Sequence, residues 1–238
     1  MTRTSRPSAT ACSSWRARPS TWRMAAETRS GLLLDWGGVM TSNLMSSFSA
    51  FCEAEGLDPG ALVGIFRANR EARELLFAFE EGRIEETEFE LGLAGLLGVA
   101  SAEGLIDRLF SGSLLEEAMV GAVRAARAGG VRTGLISNSW GTSRYPHELL
   151  AELFDGIVLS GEVGIRKPAP RIYELGARAI GVAPARCVFV DDLPFNLPPA
   201  ERLGMATVHH TSAEHTIAQL ERLLGISLRA DEPDAAVG

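Results

Sequence analysis

Asp35 closes the apolar run Gly31–Leu34, Ser137 and Asn138 follow the run 131–136, and Asp191 and Asp192 close the run 187–190. Lys167 lies in the loop "GIRKPAP", shortly after a further apolar run, "GIVLS". One acid after an apolar run is most simply a helix cap or a solvated terminus. Polar groups after several such runs are more telling, because open parallel sheets bind ligands beyond the carboxyl ends of their strands. Adjacent aspartates repel unless a cation neutralises them, and hard cations such as Mg²⁺ choose carboxylate oxygen. A cation, a lysine and a hydroxyl donor describe a pocket for a phosphoryl group, with Asp35 placed as its nucleophile. No second carboxylate accompanies Asp35: Gly37 stands two residues on.

Lysine usage strengthens the case for Lys167. The chain holds 23 Lys and Arg residues, of which Lys167 is the only lysine. Arginine has replaced lysine wherever either serves. The two are not interchangeable where a compact ammonium must reach a buried anion.

The elements that must position these groups follow from hydrophobic rhythm. The runs 31–34, 131–137, 156–160, 187–192 and 205–211 read as buried parallel strands. From Asn43 to about Leu115, apolar residues recur at three- and four-residue spacing, as in "ALVGIFRANREARELLFAFEEG", so this block reads as an all-helical insert. Phe77, Phe79 and Phe89 are expected to pack between its helices, with one of them able to face a cleft. After residue 116, strands alternate with helices, which implies a doubly wound parallel sheet with a Rossmann-like core. The expected division is an unstructured extension 1–30, an α/β core 31–42 and 116–227, a helical insert 43–115 and a loose tail 228–238.

Composition narrows the function further. Residues 1–23 carry five arginines and no acid, and cannot build a core. An over-extended start or loose tail is the expectation, with a targeting segment as the alternative. Without those residues the formal charge moves from −7 to −12, which disfavours nucleic acid and anionic membrane as partners. The three cysteines, Cys12, Cys52 and Cys187, form no CxxC pair, so a reducing, cytoplasmic setting is the default. No apolar run approaches a membrane span. Trp36 reads as loop packing, with shaping of a cleft mouth as the alternative, and Trp140 and Arg144 as surface residues, with contact to substrate as the alternative. His147, His209, His210 and His215 lack ligand-like spacing.

The segments "DWGGVMT", "LISNSW", "GIRKPAPRIY" and "VFVDDLPFNLPPAERLGM" resemble, in order, the four motifs of the haloacid dehalogenase-like hydrolase superfamily. The similarity is greatest to the phosphatase subgroup that includes the N-terminal domain of soluble epoxide hydrolase, and it spans roughly residues 31–227. It implies that the helical insert is a cap over the active site. It also implies that Asp35 forms an aspartyl-phosphate while Ser137 and the backbone around Asn138 hold phosphate oxygens. Lys167 would bridge phosphate and Asp35. Mg²⁺ would be held by Asp192, Asp35 and the Gly37 carbonyl, with Asp191 positioning its waters.

Most phosphatases of the superfamily carry an aspartate where Gly37 stands, as acid and base for the leaving group. Such a group contributes ~10²–10⁴ in rate, although the subgroup with glycine here includes phosphatases. Solvent, the substrate, Glu80 or Glu81 are the remaining proton sources. The resemblance implies a small phosphomonoester substrate, a sugar phosphate by default and a lipid phosphate as the alternative suggested by the apolar insert. A 2-haloacid dehalogenase needs no acid at position 37, but neither does it need the Asp191–Asp192 pair. A catalytically weak phosphate-binding member is the other rival. Oligomeric state is not legible, and a homodimer stays open.

Overall fold

The computed structural model describes residue 1 and residues 28–229. The expectations for the arginine-rich start and the end of the tail lie mostly outside these residues. Five strands, β1 (Gly31–Leu34), β2 (Arg132–Ser137), β3 (Gly156–Leu159), β4 (Cys187–Asp191) and β5 (Ala206–His209), form one parallel sheet in the order β3-β2-β1-β4-β5. The chain runs outward from β1 to β3, then crosses to the other side of β1 for β4. That reversal creates a crevice at the carboxyl ends of β1 and β4, the standard place for a ligand in such sheets. In register, Leu34 pairs with Val190, so Asp35 and Asp191 emerge side by side.

Both sheet faces are covered, which explains why the strands are apolar without alternation. Leu32 and Leu34 of β1, with Val188 and Val190 of β4, pack against α6 (Glu117–Ala128), α7 (His147–Leu153) and α11 (Ala213–Leu224). Leu33 and Phe189 point the other way, onto α9 (Pro170–Ala179) and α10 (Leu197–Arg202). Ser212 caps α11 by accepting a hydrogen bond from His215 N at 3.2 Å. Pro170 opens α9 at its first position, where a missing N–H costs nothing. The four-residue helix α8 (Ser160–Val163) replaces the end of the expected third strand. Its start at Ser160 turns the chain toward the Lys167 loop.

Five helices, α1 (Leu44–Ala54), α2 (Ala61–Ala68), α3 (Arg70–Glu80), α4 (Glu86–Leu97) and α5 (Leu105–Phe110), lie between β1 and α6. They bury their own core, including Phe51, Leu62, Phe89, Leu93 and Ile106. A bridge between Thr41 and Leu115 joins the two strands of chain that lead in and out. Phe79 and Phe89 stack at 4.4 Å, as expected, while Phe77 faces outward from that core. Trp140 does not take its expected surface role. It reaches from the core into this helical cluster, 5.7 Å from Phe48 and 5.4 Å from Phe89. Arg144 likewise joins the two units, pairing with Glu86 and, at 2.7 Å, with Asp107. No described helix is long and apolar enough to cross a membrane.

Close packing of α9 on β3 depends on Gly156, where an added Cβ would lie 2.7 Å from the carbonyl carbon and Cβ of Ala179. Gly156→Ala should therefore destabilise the fold by about 1–3 kcal/mol in urea titration, as overpacked sites do. Gly121→Ala, in α6 with open space around the new Cβ, should instead stabilise by about 0.5–1 kcal/mol. Equal effects at both positions would contradict this packing of α9.

Candidate active site

Every polar group singled out at a strand end meets at one edge of the sheet. Asp35 follows β1, Ser137 ends β2 and Asp191 ends β4. Lys167 enters from the loop between α8 and α9 and is almost completely buried, at 1% exposure. Its Nζ stands 2.8 Å from Asp35 Oδ1 and 2.7 Å from Asp191 Oδ2. An arginine fork could not fill this gap as a point charge, which accounts for the chain's sole lysine. Asn138 holds the lysine loop in place: Lys167 N donates to Asn138 Oδ1 at 2.7 Å, and Asn138 Nδ2 donates to the Lys167 carbonyl at 3.1 Å.

The three carboxylates have different surroundings. Asp191 is fully buried and accepts from Leu193 N and Asn196 Nδ2, each at 2.9 Å, in addition to Lys167. It stands behind the cavity as a fixed anion and does not line the cavity. Asp35 accepts from Trp36 N at 2.7 Å and does line it. Burial pushes the Asp35 carboxyl up to about 8; Lys167 pulls it back, and Asp191 and Asp192 raise it further. Asp192 is pushed up to about 6, first by burial and then by Asp191. Lys167 is raised by Asp191 and Asp35 against the opposing effect of burial.

One ligand oxygen from each of Asp35, Asp191 and Asp192 lies within 4.8 Å of the others. Three anions so close, with one lysine among them, favour a further cation. Gly38, with φ of +74°, lets the loop pass Asp192: an added Cβ would lie 2.5 Å from Asp192 Oδ2. Buried Asn196 turns its Nδ2 to Asp191 and leaves its Oδ1 without a partner among the described residues.

A cavity of about 1140 Å³ opens between the sheet edge and the five-helix unit. Asp35, Gly37, Ser137, Asn138, Lys167 and Asp192 form its polar end. Much of the remainder is hydrocarbon and aromatic, with Leu44, Phe48, Phe66, Phe77, Phe110 and Trp140 contributing. Glu80 also borders it, yet its carboxylate is tied to Arg166 and accepts weakly from Asn138 Nδ2 at 3.5 Å. Burial raises Glu80 while Arg166 opposes. Glu81 pairs with Arg83 and does not border the cavity.

Tyr145, Asn196 and Arg166 went unremarked in the sequence, whereas Trp140 was weighed for contact with substrate. Tyr145 donates to Ser137 Oγ at 2.8 Å, Asn196 fastens Asp191, Arg166 lies 3.8 Å over the Phe77 ring, and Trp140 forms part of the wall. Only Arg166, next to Lys167, carried a positional signal. His209 Nε2 lies 3.0 Å from the Asp192 carbonyl and is not among the clustered ligands.

A family model for haloacid dehalogenase-like hydrolases matches residues 30–204. The chain is 29% identical over 135 residues to bifunctional epoxide hydrolase 2 of Sus scrofa, covering 54% of this chain and 24% of that protein. It thus spans about a quarter of the length of the epoxide hydrolases it matches. It is 30% identical over 154 residues to sesquiterpene phosphatase astK of Aspergillus oryzae, covering 62% of this chain and 78% of the relative. A HAD family enzyme from Bacteroides thetaiotaomicron, solved as a magnesium complex, superposes with a TM-score of 0.61 at 21% identity, covering 82% of this chain and all of the other. The parallel sheet with its inserted helices and the match across most of the chain agree: this protein belongs to the haloacid dehalogenase-like hydrolases.

Proposed function

We propose that the protein is an Mg²⁺-dependent phosphatase acting on a phosphomonoester through an aspartyl-phosphate at Asp35. The observation that carries this reading is Lys167, buried between Asp35 and Asp191 at the polar end of the cavity. The sesquiterpene phosphatase relative and the magnesium-bound structural neighbour support it. Asp35, Asp192 and the Gly37 carbonyl would hold the ion, with Asp191 fixed behind them. The crowding of three carboxylates suits a hydrated divalent cation. When bound, Mg²⁺ would offset the negative charge of the phosphoryl group and of the aspartates.

In this reading Asp35 attacks phosphorus, the ester P–O bond breaks, and an alkoxide leaves that must gain a proton. Lys167 draws the Asp35 carboxyl toward its charged form against the upward pull of burial and pairs with the arriving phosphoryl oxygens. Ser137 and the backbone at Asn138 hold those oxygens. Water then cleaves the aspartyl-phosphate, releasing phosphate and restoring Asp35.

The leaving group receives no help from residue 37. A Cβ on Gly37 would lie 2.6 Å from Leu44 Cδ1, so a leucine fills the room that an acid there would need. Glu80 Oε2 is already taken by Arg166 and Asn138 Nδ2, so solvent is the better proton source. The five-helix unit acts as a cap that chooses the substrate. Arg67, Arg73 and Ser113 also line the cavity, but sugar hydroxyls set against its aromatic stretches would cost about 1–3 kcal/mol for each unpaired group. A hydrocarbon-bearing phosphate fits that lining and gains from burial.

Asp35→Asn should lower Mg²⁺-dependent phosphate release from p-nitrophenyl phosphate by at least ~10³-fold, as loss of a nucleophile does; unchanged activity would sink the assignment. In thermal unfolding, Mg²⁺ at a hundredfold its Kd should stabilise the wild type by about 2.7 kcal/mol and leave Asp192→Asn unmoved. Along a series from ethyl to octyl phosphate, kcat/KM should rise about fourfold per methylene, from roughly 0.8 kcal/mol of burial each. A flat series, or preference for glycerol phosphate, would refute the apolar substrate. Gly37→Asp combined with Leu44→Ala should speed alkyl phosphates more than p-nitrophenyl phosphate, toward the ~10² that an acid supplies. Equal gains on both would show that leaving-group protonation is not limiting.

A further inference from the structure

We propose that Tyr145 is a positioning residue for the phosphoryl group, acting through Ser137; the proposal rests on the phosphatase reading. Tyr145 comes from the loop after β2, is buried, and borders the cavity. Its Oη donates to Ser137 Oγ at 2.8 Å. The ring is fixed against Trp36, 5.8 Å between centroids, which places it beside the nucleophile loop. Burial raises the phenol, and the charge of Asp35 raises it further, so it stays a neutral donor.

A buried tyrosine usually finds some partner for its hydroxyl, so the identity of the partner decides the matter. Tyr173, the other tyrosine of the chain, donates to the Asn196 carbonyl at 2.7 Å. A carbonyl only accepts, so that bond ends there. Ser137 Oγ is a hydroxyl: with one lone pair taken by Tyr145, it keeps its own proton to give. The proton of Ser137 is then aimed away from Tyr145 and is available to a phosphoryl oxygen. The chain Tyr145 Oη–H to Ser137 Oγ–H to phosphoryl oxygen is directional, and each bond polarises the next. Without the phenol, Ser137 can turn its proton toward other acceptors, and the phosphoryl group meets a donor that is only partly oriented.

Tyr145→Phe retains the ring against Trp36 and removes only the donor. It should lower kcat/KM for p-nitrophenyl phosphate about three- to tenfold, the size of one neutral hydrogen bond. Affinity for inorganic phosphate in the presence of Mg²⁺, read by calorimetry, should fall by a similar factor. In a Ser137→Ala background the same change should have no further effect, whereas in a Ser137→Thr background it should persist. Losses that multiply in the Ser137→Ala background, or a Tyr145→Phe enzyme equal to wild type, would overturn the proposal. Thermal unfolding separates a folding defect from these outcomes. 3-Fluorotyrosine at position 145, a stronger donor in the same space, should move kcat/KM upward; a decrease would count against the role. If wild type releases no phosphate from any ester, the phosphatase reading fails, and the calorimetric cycle still decides whether Tyr145 acts through Ser137.

Discussion

A buried ammonium between two buried carboxylates is the constraint around which this molecule is arranged. Lys167 reaches Asp35 and Asp191 from a loop with no strand of its own, and both acids come from adjacent strand ends. Removing charges from water costs several kcal/mol per ion unless geometry and hydrogen bonds compensate. The compensation here is visible. Asp191 is satisfied by Asn196 and Leu193 N, Asp35 by Trp36 N, and the lysine backbone by both ends of the Asn138 amide. The order of strands in the sheet, the turn after β4 and the loop after β2 all serve this one cluster.

The cluster also links the two structural units. Arg166, adjacent to Lys167, pairs with Glu80 of the helical unit and covers Phe77. Ser160 Oγ at the start of α8 donates to the Glu80 carbonyl, and Arg144 pairs with Glu86 and Asp107. Trp140, two residues beyond Asn138, stands among Phe48, Phe66, Phe89 and Phe110. The loop that closes β2 therefore belongs to both units: its first residues face the polar end, and its later ones anchor the helices.

The polar end was legible because its chemistry constrains residue type. Few residues can serve as a buried nucleophile or counter-ion, and a lone lysine among arginines marks a place where arginine fails. Parallel strands announced themselves as short apolar runs, since both faces are covered. Tyr145 and Asn196 were illegible for the opposite reason. Their roles arise from contacts across the fold, and a tyrosine or asparagine in a loop has many ordinary uses. Trp140 and Arg144 were expected at the surface, with contact to substrate as the alternative; the helical unit covers this loop, and both residues line the cavity. Glu80 was weighed as a proton source as a residue of the helical insert, and the Arg166 pair that occupies it depends on a residue 86 positions away.

Leu44 is the first residue of α1, yet it fills the space beside Gly37 in the loop after β1. The helical unit thus contributes a wall close to Asp35 as well as around the rest of the cavity. Exchange of that unit between related chains would change the polarity next to Asp35 along with the shape of the cavity. In the proposed reaction, selectivity and intrinsic reactivity would be inherited together, because one side chain belongs to both.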